Sequence, residues 1–331
     1  MRTQQRLTRT YKNARVETID QDSKYVFISD CHRGNGHFSD EFSKNRNTFI
    51  HALNDYYRRG FTYVEVGDGD ELWEANNVSV IQEAHTDAYG AMKRFHDDGR
   101  MIMIYGNHNI YLRNPHYVEE NYFYYYNEFT ESTHALFPGL KPVEALVLQD
   151  EASGQEVFVV HGHQGDLAND QLWRFTAFSI RYFWRFLHSF GIKSPVSPVK
   201  NIFKRHKIEK NYIKWIAEHK KMLICGHTHR FKYPRTEELP YFNTGCCVYP
   251  TTITAIELEH GEISLIRWKV LPDVDGLLHV QRMVLKGPEP IKTFDLRGRE
   301  EEVPIRESES IREVQEGARA VEDQEIKEEA S

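Results

Sequence analysis

Residues 24–34, KYVFISDCHRG, place an aspartate and a histidine directly after a short apolar run. A run of this kind that ends in polar residues is typical of a buried strand in an α/β sheet. Four further stretches repeat the pattern: FTYVEVGD (61–68), RMIMIYGNH (100–108), EVFVVHGH (156–163) and KMLICGHTH (221–229). Stretches of helical period separate several of them. The sequence therefore predicts an α/β fold with polar groups gathered at strand ends.

Other segments complete this prediction. EALVLQD (144–150) is expected to pair with the strand that follows it. TITAIELEHGEISLIRWKV (252–270) alternates around a His-Gly turn, which predicts a hairpin and suggests a second, antiparallel sheet. Ser39 is expected to cap a helix that ends at Gly60, and residues 78–98 are expected to form one helix.

The charges of the chain are unevenly distributed. The formal net charge is −7 for 331 residues, and residues 299–331 alone hold 12 acidic and 5 basic side chains. Residues 171–232 hold 14 basic residues and only two acidic ones. We expect an N-terminal extension (1–20), a main domain (21–290) with a helical basic and aromatic insert at about 168–220, and an acidic tail (291–331) that is disordered or a solvated helix.

Several classes of protein are disfavoured. No apolar run approaches the roughly 18 to 20 residues that span a bilayer, and the first residues do not resemble a signal peptide. The four cysteines (Cys31, Cys225, Cys246 and Cys247) match no disulfide scaffold or paired zinc motif and are expected to be reduced thiols. These features predict a cytoplasmic protein.

The polar groups at the strand ends suit a metal site. In an open α/β sheet, the loops beyond the carboxyl ends of the strands converge on one crevice. Imidazole and carboxylate ligands bind zinc, iron and manganese, and a carboxylate can bridge two ions. The candidate groups are Asp30, His32, Asp68, Asn107, His108, His161, His163, His227 and His229. Their number is sufficient for two ions.

The ordered motifs DCH, GD, GNH, HGH and GHTH, over residues 25–270, resemble the calcineurin-like metallophosphoesterase family. The resemblance implies a two-sheet α/β/β/α sandwich and two divalent ions, manganese first, with iron or zinc as alternatives. It implies that a metal-bound hydroxide hydrolyses a phosphodiester or pyrophosphate bond, with His108 assisting the leaving group. It assigns Asp30, His32 and His229 to the first metal, Asn107, His161 and His227 to the second, and Asp68 to the bridge between them.

We also predict roles for residues that lie within or beside these motifs. The family has an acidic residue after the GNH histidine, and here Asn109 is expected to accept a hydrogen bond from His108. Asp68 is preferred over Asp70 as the bridge because it directly follows the strand. We expect His163 to support the ligands from behind. Arg33 and Arg230 are candidates for clamping phosphate, with simple solvation as the alternative.

The basic insert bears on the substrate. Residues 171–190 contain eight aromatic side chains, which can pack in the core, cover an acyl chain, contact a membrane surface or stack on single-stranded nucleic acid. Its position, and the stretch GDGDELWE (67–74), are similar to UDP-2,3-diacylglucosamine pyrophosphatases, although HGH replaces their HGD. This resemblance implies a UDP-linked acylated sugar and peripheral membrane contact, with nucleic acid less favoured and no protein partner. The alternatives are a protein or nucleotide phosphatase or nuclease of the same fold, and a non-catalytic scaffold.

Overall fold

Two mixed sheets form the centre of the computed structural model, which describes residues 3–75, 77–127, 130–164 and 202–298. The strands are β1 (Arg15–Ile19), β2 (Lys24–Ile28), β3 (Thr62–Val66), β4 (Met101–Ile104), β5 (Tyr124–Asn127), β6 (Ser132–Ala135), β7 (Ala145–Asp150), β8 (Glu156–Val160), β9 (Met222–Cys225), β10 (Tyr241–Asn243), β11 (Thr252–Glu259), β12 (Glu262–Pro272) and β13 (Leu278–Pro290). The first sheet has the order β13-β12-β11-β2-β3-β4, and the second has the order β1-β7-β8-β9-β10. β5 and β6 form a separate two-stranded ribbon.

Helices cover the outer face of each sheet. They are α1 (Thr3–Lys12), α2 (Arg46–Arg58), α3 (Val78–Ala84), α4 (Thr86–Asp97), α5 (Pro115–Tyr122) and α6 (Ile202–His219). Short 3₁₀ helices occupy Phe42–Lys44, Ile110–Arg113 and Ile291–Phe294. Among the described helices, none combines the length and the apolar character that a bilayer crossing requires.

The alternation of side chains along the strands builds four layers. Val26 and Ile28 of β2 face the core shared with α2 and α4, whereas Phe27 between them faces the core between the two sheets. Successive side chains of a strand point to opposite faces, so a strand buried on both faces must be apolar throughout. The predicted α/β/β/α sandwich is confirmed.

The first 20 residues are not an extension of the domain. β1 pairs in parallel with β7 at the edge of the second sheet. Leu7 of α1 is fully buried in the outer core, together with Tyr212 and Trp215 of α6. This short segment, which we expected to be an extension, therefore completes both a sheet and a helical layer.

Residues 291–298, which we expected to belong to the tail, pack against the folded domain. Ile291 and Phe294 are buried in the core between the two sheets, and Leu296 is buried in the outer core that contains Leu7. Residues 299–331, which carry the acidic charge, lie outside the described residues, as do residues 165–201 of the basic insert. Of that insert, the structure describes only residues 202–220, most of which form α6.

The predicted hairpin is present, but it does not start a new sheet. His260 and Gly261 both have positive φ, as a tight two-residue turn requires, and β11 pairs with β12 on either side of it. β11 also pairs with β2, with Ile256 opposite Phe27. The hairpin thus extends the first sheet, because β11 is buried on both faces.

Two helix boundaries differ from the prediction. α2 begins at Arg46 after a 3₁₀ turn, since Asp40, rather than Ser39, accepts backbone hydrogen bonds from Gly36 and Ser43. Residues 78–98 form two helices separated at His85, whose Nε2 lies 2.7 Å from Asp40 Oδ2. Gly60 follows α2 with a positive φ, as expected.

The packing of α1 leads to a test of stability. We predict that Leu7→Ala lowers the free energy of unfolding by about 2–5 kcal/mol, because it leaves a cavity under α1. The control is Val16→Ala on β1, where the side chain is 60% exposed and the expected change is within about 0.5 kcal/mol. Urea unfolding followed by circular dichroism measures both. Wild-type stability in Leu7→Ala would show that α1 is not part of the folded core.

Candidate metal centre

The predicted ligands meet where five strands end. They follow β2, β3, β4, β8 and β9, whose carboxyl ends lie at one edge of the sandwich. Beyond β2 and β3 the backbone continues in parallel pairing, because the amides of Asp30, His32 and Arg33 donate to the carbonyls of Gly67, Asp68 and Gly69. This ladder fixes the spacing between the first two motifs.

Asp30, His32 and His229 form one group whose ligand atoms lie within 4.8 Å of one another. Asp30 Oδ1 lies 3.1 Å from His229 Nε2 and 3.9 Å from His32 Nε2. The two Nε2 atoms are 3.1 Å apart. Two imidazole nitrogens that face each other at this distance need a proton or a cation between them. The donor set therefore fits a divalent metal ion.

Asp68, His161 and His227 form a second group, whose ligand atoms also lie within 4.8 Å of one another. His161 Nδ1 donates to the carbonyl of Val66 at 2.8 Å, which leaves Nε2 as the atom that faces Asp68 Oδ2 at 3.1 Å. This outward hydrogen bond is the usual way in which a metal-binding histidine is oriented. Asn107 is 2% exposed, and its Oδ1 accepts no hydrogen bond from the described residues.

Asp68 faces both groups. Its Oδ2 lies 3.1 Å from His161 Nε2 and 3.9 Å from His32 Nε2, while Oδ1 accepts from the amide of His108 at 2.8 Å. The alternative, Asp70, points elsewhere. Asp68 therefore lies between two groups of histidine and aspartate that can hold metal ions.

The backbone of the centre is unusual. Nine non-glycine residues of the described chain have positive φ, and five of them are predicted ligands: Asp30, His32, Asp68, His227 and His229. Each such residue costs of the order of 1–3 kcal/mol and tends to persist at functional sites. This strain is therefore concentrated at the strand ends, where the predicted ligands lie.

The glycines of the motifs allow the ligands to approach the backbone closely. A Cβ atom at Gly106 would overlap Asp68 Oδ1, and one at Gly226 would overlap the hydroxyl of Ser29, which donates to Asp30. A side chain at either position would displace a carboxylate from the centre. The GNH and GHTH motifs therefore need glycine for steric reasons.

His108 has a different partner from the one that we expected. Its Nδ1 lies 2.8 Å from Glu71 Oε1, and its ring stacks on Trp73 at 4.1 Å. Asn109 Oδ1 instead accepts from the amide of Gly106 at 2.6 Å. The predicted hydrogen bond between Asn109 and His108 was wrong, because the asparagine side chain turns into the loop.

Glu71 is a residue whose role the sequence prediction missed. Its Oε2 also lies 2.8 Å from His32 Nδ1, so one carboxylate orients a predicted ligand and the candidate acid. The sequence signal was the acidic cluster in GDGDELWE, which we used only for the resemblance to the pyrophosphatases. The role of Glu71 follows from the position of its loop, which sequence adjacency does not reveal.

The electrostatics of the centre favour cations. Burial alone would lower the pKa of His108, but the carboxylates of Glu71 and Asp68 outweigh it and raise the pKa to about 9. Burial would raise the pKa of Asp30, whereas His229 and His161 lower it to about 2. The carboxylates are therefore ionised over the physiological range, and their field attracts positive charge.

Arg33 lies beneath the centre rather than in it. The guanidinium is fully buried; Nε lies 2.6 Å from Asp70 Oδ1, and one terminal nitrogen lies 2.7 Å from Glu65 Oε1. Tyr89 and Tyr122 donate to the two oxygens of Asp70. The expectation that Arg33 clamps phosphate was wrong, since its charge is neutralised by two buried carboxylates.

Arg230 and His163 occupy contrasting environments. Arg230 is exposed and directly follows the predicted ligand His229. His163 is fully buried with its ring centroid 5.5 Å from that of His161, and neither of its nitrogens has a hydrogen-bond partner among the described residues. Burial and the neighbouring His161 and His227 lower the pKa of His163 well below the ordinary value. It packs behind the ligands as a neutral ring.

Comparisons with known proteins leave the family open. No protein-family model and no curated protein matches the sequence. Vps29 from Chaetomium thermophilum is 8% identical, with a TM-score of 0.39, over 82% of this chain and 99% of that one. A cold-active protein-tyrosine phosphatase of a psychrophilic Shewanella species is 13% identical, with a TM-score of 0.33, over 82% and 83%. Both scores are too low to assign a family.

The burial of Arg33 leads to a second test. We predict that Arg33→Gln lowers the free energy of unfolding by about 3–5 kcal/mol, because it leaves Glu65 and Asp70 buried with no cation. Arg230→Gln removes the same charge from an exposed position and should change stability by less than about 0.5 kcal/mol. Urea unfolding of both variants decides the question. Equal effects would contradict a structural role for Arg33.

Proposed function

We propose that the protein is a metal-dependent hydrolase of phosphodiester or pyrophosphate bonds. The observation that supports this proposal is the sharing of Asp68 between two groups of ligand atoms, at a point where the backbone is held in left-handed conformations. Asp30, His32 and His229 would hold one cation, Asn107, His161 and His227 a second, and Asp68 would contact both. We expect Mn²⁺, with iron or zinc as alternatives.

Two divalent cations, when bound, lower the pKa of water and neutralise charge on phosphoryl oxygens. The protein positions the groups around them. Val66 fixes His161 through its carbonyl, and Glu71 fixes His32, so both rings present Nε2 to the centre. The amide of His227 donates to Asp30 Oδ2, which holds that carboxylate in place. These contacts preorganise the ligands before a substrate arrives.

His108 is the proposed proton donor to the leaving group. Glu71 accepts from its Nδ1 and raises its pKa, which favours the protonated ring. Its side chain is 21% exposed, and the stacked Trp73 fixes the plane of the ring. An oriented imidazolium next to a phosphate ester can protonate the departing oxygen.

The substrate that we propose is a small phosphodiester or a nucleotide-linked diphosphate such as a UDP-linked acylated sugar. A phosphatase or nuclease of the same fold is the main alternative, and a nuclease would lose affinity steeply with salt through its phosphate contacts. A non-catalytic scaffold is the alternative of another class. The intact ligand set, including the buried Asn107, argues against a scaffold.

The proposal predicts manganese-dependent turnover of 4-nitrophenyl phosphate esters. Wild-type protein should bind about two Mn²⁺ per chain and hydrolyse the diester or the monoester, and Asp68→Asn should abolish turnover and weaken manganese binding tenfold or more. Asp275→Asn makes the same chemical change at an exposed position and should behave as the wild type. Calorimetry and absorbance at neutral pH measure the two effects. Neither binding nor turnover in the wild type would reject the hydrolase.

The role of Glu71 has its own test. Glu71→Gln should lower kcat for phenyl esters by about 10²–10⁴, and less for 4-nitrophenyl esters, because a poor leaving group depends more on protonation by His108. Glu83→Gln on α3 is exposed and should leave both rates unchanged. His108→Ala should show the same dependence on the leaving group. A uniform loss with both esters would indicate damage to His32 and its metal instead.

A further inference from the structure

An arginine whose Nε is buried with no hydrogen-bond partner among the described residues lies at the start of α6. Arg205 is 9% exposed and occupies the same helical face as Ile208 and Tyr212, which are also buried. Its Nε is enclosed and has no hydrogen-bond partner among the described residues. A buried guanidinium N–H without a hydrogen bond is unfavourable, which makes this position a candidate for binding an acceptor.

The next residue, His206, is in a similar position. Both of its ring nitrogens are enclosed and lack hydrogen-bond partners in the described part of the chain. Glu209, one turn further along α6, is the nearby carboxylate, but its Oε2 lies 3.9 Å from His206 Nδ1, which is beyond hydrogen-bonding distance. Burial raises the pKa of Glu209, although the charges of Arg205, Arg230 and Lys232 act to lower it. Among the described residues, Glu209 leaves both ring nitrogens of His206 without a hydrogen bond.

These side chains flank the metal centre. Tyr212, two turns after Arg205 on α6, donates its hydroxyl to the carbonyl of Gly162 between His161 and His163, so α6 is docked on a ligand loop. Arg230 follows the ligand His229, and its charge and that of Arg205 both act on His206. The charges of His229, Arg205 and Arg230 all act on the hydroxyl of Tyr249. The basic cluster thus borders the centre on the side of His229.

The chemistry of the cluster selects an anion. Guanidinium groups bind phosphate and carboxylate through paired hydrogen bonds, and an imidazole adds a further donor. A guanidinium that is already enclosed has little freedom to lose on binding, which favours affinity. Such a group next to a phosphate-cleaving centre is placed to hold a part of the substrate that does not react.

We propose that Arg205, His206 and Arg230 form a second anion subsite, which binds a non-reacting phosphate of the substrate next to the bond that is cleaved. The preferred substrate then carries two anionic groups, as a diphosphate does, rather than a single phosphate. The identity of the ligand rests on the proposed hydrolase function, whereas the ability of the subsite to bind an anion does not.

The test is calorimetric binding of inorganic pyrophosphate to the full-length protein at pH 8 after removal of metal by a chelator. Wild-type protein should bind pyrophosphate, and Arg205→Gln should lose affinity by about tenfold to a hundredfold, as expected for loss of charge-assisted hydrogen bonds. Arg205→Lys should retain part of the affinity. Lys207→Gln removes an equal charge from an exposed position of α6 and should bind as the wild type does.

Three outcomes would overturn the subsite: no binding to the wild type, undiminished binding to Arg205→Gln, or an equal loss in Lys207→Gln. The melting temperature of Arg205→Gln distinguishes anion binding from a structural role. It should be unchanged or higher than that of the wild type, because the substitution removes a buried charge. A lower melting temperature would indicate a structural role. If the protein hydrolyses esters with manganese but does not bind pyrophosphate, the subsite is rejected and the hydrolase is not. If it binds pyrophosphate through Arg205 but hydrolyses no ester, the hydrolase is rejected and the subsite is not.

Discussion

The buried ion pairs of Arg33 with Glu65 and Asp70 hold together the two loops on which the centre depends. Arg33 follows the DCH motif, and Asp70 follows the GD motif, so one guanidinium joins the ends of β2 and β3. The backbone hydrogen bonds between the same two loops then place Asp30 and His32 beside Asp68. A charge network of this kind gives geometric specificity more than net stability, because desolvation offsets much of the attraction.

The same loops contain the least favourable backbone in the described chain. Left-handed conformations at Asp30, Asp68 and His227 cost free energy that packing elsewhere must offset. The sandwich provides that packing, since both sheets are covered by helices and meet in a common apolar core. A rigid scaffold that tolerates strained loops is what a site of several converging ligands requires.

The sequence predicted the layers, and it predicted that the candidate ligands converge at one edge, because both follow from local patterns. Apolar runs identify strands that are buried on two faces, and the residue after each run lies at a known edge of the sheet. The roles of Glu71 and Arg33 were not predicted, because their partners are distant in sequence. The charged residues beside them in the sequence do not show which ion pairs form. β1 was missed because RVETI is polar at the sheet edge, where only Ile19 is buried.

Metal ligands and proposed substrate contacts come from different layers of the molecule. The ligands extend from strands of the two inner sheets, whereas Arg205 and His206 come from an outer helix that touches the centre through Tyr212 and Gly162. Changes on α6 can therefore alter what binds beside the metals without moving the strained loops. Under the proposed function, the motifs therefore determine the class of chemistry, and Arg205 and His206 contribute to the choice of substrate.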